Sequence, residues 1–379
     1  MTKPHQQFLE LLRSGLWGTP ADPSLFQGDV NWRSILRIGK EQAVRILIAD
    51  GIESLPNELW PDLDTMLKIM TLRVKTKNLH LQLNSILSRI TKALNQEQIP
   101  SVLLKGYGLA SNYRLPQSRM CGDIDIYVGQ ENFDKAYNTI VALSTTTQAD
   151  QTILPDDHMH KHVEIDKVTI EVHRKASSSA NLRQRRLFDN WTIDSIDNHF
   201  ADGTLPTVQV EDTVVRIPDA TFNAVFVLHH AVRHMITEGI GLRQICDWTM
   251  FLDKHHHEIN QTELRKVLKK FHMESIWAEF GILAINILSL DPSHLPLAPA
   301  NLTSQKTNKI LKQIFITGNF GHYDKKGRYP KETNVIKRKW RSLLVQTRHF
   351  RRTVRIFPQF TLSYIVGWYP SAICRLFHR

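Results

Sequence analysis

The sequence has few cysteines, no long apolar run and no internal repeat or low-complexity tract. Its three cysteines, Cys121, Cys246 and Cys374, are far apart, which argues against a disulfide framework or a zinc ribbon and is typical of a reducing compartment. No window reaches the roughly 18 uninterrupted apolar residues of a membrane span. Residues 1–13 lack the apolar centre of a secretory leader. We therefore expect a cytoplasmic globular protein.

Acidic residues are scarce toward the C-terminal end. Residues 322–379 contain 14 of the 48 Lys and Arg residues but only 2 of the 37 Asp and Glu residues, so they carry the whole positive excess of the chain. The pI near 9.5 is therefore a property of this tail and not of the remaining residues. With 379 residues, 42% of them hydrophobic, the chain can bury a large core and is expected to form more than one domain.

Two carboxylates stand close together in the apolar segment 122–126. Asp123 and Asp125 are two residues apart, so on a strand they point to the same face. Burying two like charges there costs several kcal/mol unless a cation neutralises them. Mg²⁺ fits this need, because it takes oxygen ligands from carboxylates and from substrate phosphates. The pair alone is a weak signal, and other segments strengthen it.

A glycine turn follows the first predicted strand. Residues 102–104 are typical of a short strand that leads into Lys105 and Gly106. Glycine lets the backbone approach a triphosphate closely, and Lys105 supplies a compact positive charge. Arg119 lies four residues before Asp123. Its guanidinium is suited either to a phosphate oxygen or to a structural salt bridge.

The order of these features resembles the DNA polymerase β superfamily of nucleotidyltransferases. It resembles more closely a little-characterised branch of that superfamily with the pattern LLKG, RxxGDID and ExH. The resemblance covers about residues 60–260, and the ordered set is more specific than any one motif. The matching positions are 103–106, Arg119, 122–125 and 171–173.

The resemblance implies a small mixed α/β domain that transfers a nucleoside monophosphate from a nucleoside triphosphate to an unidentified hydroxyl acceptor, with release of pyrophosphate. Two Mg²⁺ ions are expected on three catalytic acids: Asp123, Asp125 and Glu171. The nucleotide is expected to contact four residues: Lys105, Gly106, Arg119 and Gly122. The sequence departs from the superfamily at Tyr107, where a serine is usual. Lys105 is expected to take over the triphosphate contact of that serine.

Most segments outside this region have helical periodicity. Apolar residues recur at helical spacing through residues 63–94 and again through 222–236 and 263–290. We predict an α+β fold in which a small mixed-sheet nucleotidyltransferase domain is flanked by N-terminal helices and an α-helical C-terminal domain. The predicted divisions are an N-terminal helical region, a catalytic domain, a helical domain and a basic tail, at residues 1–97, 98–217, 218–320 and 321–379.

Histidines cluster near the third acid. His158, His160 and His162 alternate, so on a strand they share one face. They could support the metal-binding carboxylate or contact the nucleotide, form a separate zinc site, or simply be polar residues on a solvated face. If residues 166–167 form a two-residue turn, the strands that flank it form a hairpin. The resulting pairs are His162 with Glu171 and His160 with His173.

Arg243 and Asp247 are a further candidate pair. They stand four residues apart in a helix that follows a glycine turn, and the branch that the chain resembles carries a similar segment. They could face the cleft and support the site. Alternatively, they could form an intrahelical ion pair, which stabilises a helix by only a few tenths of a kcal/mol.

Two other functions remain open. A degenerate nucleotidyltransferase would bind nucleotide or RNA without turnover, and Tyr107 favours that reading. A nucleotidyltransferase of the toxin–antitoxin type would modify a partner protein.

The basic tail is predicted to contain an amphipathic helix. Its apolar face could dock as the last piece of the helical domain, or the helix could bind a polyanion, either RNA or an anionic membrane surface. The predicted apolar face comprises Ile336, Trp340, Leu343, Leu344, Thr347 and Val354.

Overall fold

The computed structural model describes residues 1–144, 159–177, 179, 181–324 and 335–377. Helices predominate, and a small sheet lies in the middle of the chain. This agrees with the predicted α+β class. The boundaries between the four predicted regions remain predictions.

The first helices pack tightly on one another. They are α1 (Lys3–Trp17), α2 (Trp32–Glu41), α3 (Arg45–Glu53) and the long α4 (Leu63–Gln96). Gly15 and Gly51 allow α1 and α3 to touch through their backbones. A Cβ added at Gly15 would lie 1.9 Å from the carbonyl oxygen of Leu47, and one at Gly51 would lie 2.2 Å from that of Leu11. Larger residues at these two positions would force the helices apart.

The main sheet has four strands in the order β1-β2-β4-β3. They are β1 (Val102–Leu103), β2 (Asp123–Tyr127), β3 (His160–Ile165) and β4 (Val168–His173). A short helix, α5 (Tyr107–Ala110), follows β1, and α6 (Gly129–Val141) follows β2. β2 pairs with β4 in parallel, whereas β1 and β3 are antiparallel to their neighbours. The sheet is therefore mixed, as predicted.

The hairpin between β3 and β4 has the predicted register. Asp166 and Lys167 form its turn with φ values of 51° and 66°, the backbone conformation of a two-residue hairpin turn. His162 pairs with Glu171, and His160 pairs with His173. His158, the third alternating histidine, lies outside the described residues.

The second half of the chain is mainly helical. Its elements are α7 (Leu182–Ser195), the hairpin β5 (Thr207–Val210) and β6 (Thr213–Arg216), α8 (Ala220–Thr237), α9 (Leu242–His255), α10 (Gln261–Lys270), α11 (Glu274–Leu288), α12 (Gln305–Thr317), α13 (Val335–Thr353) and α14 (Pro358–Phe377). Asp219 caps α8 by accepting hydrogen bonds from the backbone N–H groups of Thr221 and Phe222. The predicted helical run 263–290 is confirmed as two helices, α10 and α11, which are separated at residues 271–273, where His272 has a φ of 56°.

Buried apolar side chains form two main clusters. One contains the sheet, α6 and the second half of α4, where Leu83, Leu87 and Leu94 face the strands. The other joins α1–α3 to α8–α12 and contains an edge-to-face pair of Trp248 and Trp277, whose ring centres are 5.1 Å apart. The N-terminal helices thus share a core with the C-terminal helices, although the sheet separates them in sequence.

α13 packs on α8 through a face different from the one predicted. Val345 and Phe350 are buried, and the Gln346 side chain donates a 2.9 Å hydrogen bond to the carbonyl of Ile236. In contrast, Trp340 and Leu344 are 54% and 65% exposed. The predicted apolar face is therefore wrong by roughly a third of a helical turn. The cause is packing on two sides, since α14 covers the flank that carries Thr347, whose hydroxyl bonds to that of Tyr369.

No helix in the described part of the chain is long and apolar enough to cross a membrane.

Two substitutions on α13 test which face is buried. We expect Phe350→Ala to lower the free energy of unfolding by about 3 kcal/mol, because it opens a cavity in a packed core. Leu344→Ala, on the exposed face of the same helix, should change it by less than about 0.5 kcal/mol. Chemical denaturation of both variants measures the difference. Equal losses would contradict the orientation of α13.

Candidate active site

The centre of the candidate site is a buried carboxylate between two basic side chains. Asp125 lies in the middle of β2 and is 1% exposed. Lys105 Nζ lies 2.7 Å from Asp125 Oδ1, and His173 Nε2 lies 3.1 Å from the same oxygen. The sheet brings them together, because Lys105 directly follows the segment that pairs with β2 and His173 ends the neighbouring strand β4.

This arrangement keeps Asp125 ionised. Burial alone would raise its pKa, but the charge of Lys105 and the hydrogen bond from His173 outweigh burial and hold the pKa below its usual range. Burial would likewise lower the pKa of His173, yet its contacts with Asp125 and Glu171 raise that pKa overall. Asp125 and His173 therefore favour each other's charged forms.

Asp123 has a different environment. It stands at the start of β2, and its side chain reaches solvent at the rim of the cleft. Desolvation by the cleft walls and the nearby charge of Asp125 raise its pKa. Lys105 and Arg243 offset only part of this effect. The charge of Asp123 is thus compensated only in part, and a carboxylate oxygen is a suitable ligand for a divalent cation.

Glu171 completes the set of three predicted acids. It pairs with Asp125 across the parallel strands β2 and β4, so both side chains project from the same face. Its Oε2 lies 3.2 Å from His173 Nε2 and 3.9 Å from His160 Nε2. Burial would raise the pKa of Glu171, but the hydrogen bond with His173 lowers it overall.

The histidines around Glu171 form a potential metal-binding group. His160, Glu171 and His173 each offer one ligand atom within 4.8 Å of the others. Burial and the neighbouring His173 lower the pKa of His160 to about 4. His162 is more peripheral, because its side chain is 50% exposed and its Nδ1 is 3.8 Å from Glu171. The structure thus brings His160 and His173 into the site and leaves His162 at its edge.

The two candidate nucleotide-binding glycines differ. Gly106 has φ 64° and ψ −124°, a conformation that only glycine adopts readily. This backbone conformation explains why a glycine follows Lys105. Gly122 has no positive φ, and no atom lies within 4 Å of a Cβ added there. The space beside Gly122 is open, and its contact with nucleotide remains a prediction.

A cavity that is open to solvent lies between the sheet and the helical half of the molecule. Lys105, Asp123 and Asp125 line one side of it. The opposite side is formed by α8, α9 and the turn that follows α12, through Val227, His230, Arg243, Gln244 and Phe320.

Arg119 forms a buried ion pair with Asp247. Its Nε and Nη2 donate to the two carboxylate oxygens at 2.7 and 2.9 Å, and both residues are at most 6% exposed. Tyr113 donates a further 2.6 Å hydrogen bond to Asp247, and Nη1 of Arg119 contacts the sulfur of Cys121. The salt-bridge alternative for Arg119 therefore describes this structure. Nucleotide binding by Arg119 remains a prediction.

Arg243 faces the cleft and is not paired with Asp247. Its Nη1 donates a 2.7 Å hydrogen bond to the carbonyl of Met120, three residues before β2. Its guanidinium lies 5.9 Å from the centre of the Phe320 ring. Arg243 therefore does not form the intrahelical ion pair with Asp247. It contacts two other segments of the chain instead, at Met120 and Phe320. A supporting role for Arg243 and Asp247 in the site remains a prediction.

Several residues at the cleft had no clear signal in the sequence. His230 had the pattern of an ordinary core histidine, but it lines the cleft, and burial together with the charge of Lys105 lowers its pKa well below the usual value. The hydroxyl of Tyr113 donates a hydrogen bond to Asp247, which lies 134 positions later in the sequence. Phe320 lies in a turn that has no periodicity.

The comparison with protein families agrees with the class that the motif order indicates, a nucleotidyltransferase. The family model described as “Uncharacterised nucleotidyltransferase” matches residues 28–288. This match covers more than half of the chain, so the chain belongs to that family and is a transferase. Neither a curated protein nor a solved structure matches it. The particular branch of the superfamily that the motifs resemble remains a prediction.

The buried ion pair can be tested by removing one of its charges. We expect Asp247→Asn to lower the free energy of unfolding by about 3 kcal/mol or more, because it leaves the Arg119 charge buried without compensation. Asp253→Asn is a matched control, since Asp253 lies on the same helix but meets His294 at the surface. Chemical denaturation should show a much smaller loss for the control. Equal losses would mean that the Arg119 pair does not stabilise the fold.

Proposed function

We propose that this transferase moves a nucleoside monophosphate from a nucleoside triphosphate to a hydroxyl acceptor and releases pyrophosphate. The observation that carries the proposal is the pairing of Asp125 with Glu171 on adjacent parallel strands, with Asp123 two residues before Asp125 on the same face. Asp123, Asp125 and Lys105 line the cavity, and Glu171 stands beside Asp125 on the neighbouring strand β4. The family match supports the reaction class.

Two Mg²⁺ ions are the cations proposed for this site. The donor set fits, because Asp123, Asp125 and Glu171 supply hard oxygen ligands. The raised pKa of Asp123 also indicates that its charge is not fully neutralised by the protein. When bound, the ions would stabilise the charge on the attacking and leaving oxygens.

The protein side chains would have distinct tasks. Lys105 and the backbone at Gly106 would bind the triphosphate, and Arg243 would add positive charge from the opposite wall of the cleft. His173 would hold the carboxylates of Asp125 and Glu171 in place through its contacts of 3.1 and 3.2 Å. The Glu171 carboxylate, whose lowered pKa keeps it ionised, would accept the proton of the acceptor hydroxyl.

His160 supports an alternative metal assignment, in which a transition metal binds at Glu171. Together with Glu171 and His173 it forms a donor set that also suits a transition metal such as Zn²⁺. Metal analysis of purified protein separates the two cases. A tightly held, stoichiometric zinc would place a separate metal site at Glu171, whereas its absence would leave the imidazoles as groups that orient the carboxylates.

A second candidate function is binding of nucleotide or RNA without turnover. Tyr107 favours it, because it replaces the usual serine and its side chain packs against the core cluster of the sheet. The three acids favour turnover. Incubation with each labelled nucleoside triphosphate, Mg²⁺ and a cell extract, followed by mass analysis, would distinguish the two functions. It would also identify the acceptor and the preferred nucleobase of the triphosphate. It would show whether the acceptor is a partner protein, as a toxin–antitoxin role would require.

A cytoplasmic location remains a prediction.

Asp123 offers the cleanest test of the metal assignment. We expect Asp123→Asn to reduce pyrophosphate release by about 100-fold or more, because it removes a ligand charge without changing side-chain volume. Since Asp123 stands at the exposed start of β2, the thermal stability should change little. Asp134→Asn, on the exposed surface of α6, is the control and should retain full activity. Unchanged turnover in Asp123→Asn would refute the assignment.

Lys105 is expected to act mainly on substrate binding. Lys105→Ala should raise the KM for the triphosphate about tenfold or more and reduce kcat less, because the contact with phosphate exists already in the ground state. Lys161→Ala removes a lysine from β3 that contacts Asp134 and the Tyr137 ring instead of the cleft. Steady-state kinetics should show no change in KM for this control. A Lys105 variant with normal KM would make this lysine purely structural.

A further inference from the structure

The outward face of α13 is strongly basic and partly apolar. Its residues recur at helical spacing, and all of them are exposed. Between the first and the last of them the helix rises about 21 Å. The face, called here the α13 outer face, comprises Lys337, Trp340, Arg341, Leu344, Arg348 and Arg351.

Its charge is not balanced within the helix. α13 contains seven Lys or Arg residues and no Asp or Glu. Arg352 forms a 2.7 Å ion pair with the buried Asp324 and lies outside the outer face.

Two large apolar side chains lie among these cations. Trp340 and Leu344 are one helical turn apart and more than half exposed. Removing such side chains from water is favourable, but the protein does not bury them. A helix with Trp and Leu among Lys and Arg is typical of an element that lies at the surface of an anionic bilayer.

The neighbouring helix supports the same partner. α14 has no charged residue between positions 358 and 374. Leu362 and Val366, one turn apart on it, are 50% and 68% exposed. An RNA partner would use cations and aromatic rings, but it would gain nothing from these aliphatic side chains. A lipid surface can bind both the basic helix and the uncharged one.

We propose that the α13 outer face docks the protein on an anionic lipid surface, with Trp340 and Leu344 entering the interface and the cations contacting lipid headgroups. The proposal is independent of nucleotidyl transfer. The docking face is held in position beforehand, because the opposite side of α13 is fixed on α8 through Phe350 and Gln346. Binding therefore requires no folding of the helix.

The test uses the full chain without nucleotide, since deletion of the tail would remove core residues such as Phe357 and Phe360. Cosedimentation is measured with vesicles of phosphatidylcholine alone and with vesicles that also contain phosphatidylglycerol. We expect binding only to the anionic vesicles, with an affinity that falls as salt is raised. Quenching of tryptophan fluorescence by brominated lipid should occur and should be lost in Trp340→Phe.

Charge reversal provides the matched comparison. The double variant Arg341→Glu, Arg351→Glu should bind anionic vesicles roughly 30-fold more weakly or worse, because each cation near the surface contributes about a factor of five or more. The control is Arg265→Glu, Lys269→Glu, which reverses two exposed cations on α10 and should bind as the unmodified protein does. Pyrophosphate release, assayed without vesicles, should be unchanged in both.

Three results would overturn the proposal. They are equal binding to both kinds of vesicle, equal weakening by the α10 control, and binding of RNA by a chain that ignores vesicles. If the charge-reversed protein does not fold, the double variant Trp340→Ala, Leu344→Ala replaces it, because it keeps every charge. That variant should still bind anionic vesicles more weakly than the unmodified protein, and unchanged binding would also contradict the proposal.

Discussion

The buried ion pair between Arg119 and Asp247 is the interaction on which the geometry of the cleft depends. Arg119 belongs to the segment that leads into β2, and Asp247 belongs to α9, which forms the opposite wall of the cleft. Both charges are desolvated, so each requires the other. The hydroxyl of Tyr113 donates a hydrogen bond to the same carboxylate. This pair fixes the distance between the acids on β2 and the cationic side chain of Arg243 one turn earlier on α9.

Charge in the site is distributed over two neighbouring strands and one turn. Asp125 is the best-neutralised acid, because Lys105 and His173 both contact it. Asp123 is the least neutralised, and Glu171 is intermediate. The carboxylate charge that the protein leaves uncompensated therefore increases from the buried middle of β2 to the rim of the cleft. A dissolved cation reaches this rim first.

Local patterns predicted the parts of the site that lie on strands. The spacing of Asp123 and Asp125 and the hairpin around Asp166 follow from the two-residue period of a strand, so the register of His160 and His162 could be derived. Contacts between distant segments could not be derived in this way. Asp247 lies 128 positions from Arg119, and α13 has apolar residues around much of its circumference. Only packing against α8 and α14 decides which of them become buried, as Phe350 and Trp340 show.

The order of the helices in the chain has a consequence for folding. α1 shares its core with helices that are synthesised much later, and the Trp17 indole donates its hydrogen bond to Leu288, 271 positions later. The apolar faces of α1–α3 therefore cannot complete their packing until α11 has been made. Until then, the backbone contact at Gly15 and Gly51 is the main interaction available to these helices. Folding of the larger core is thus governed by contacts of high sequence separation, which form slowly and leave apolar surface exposed in the growing chain.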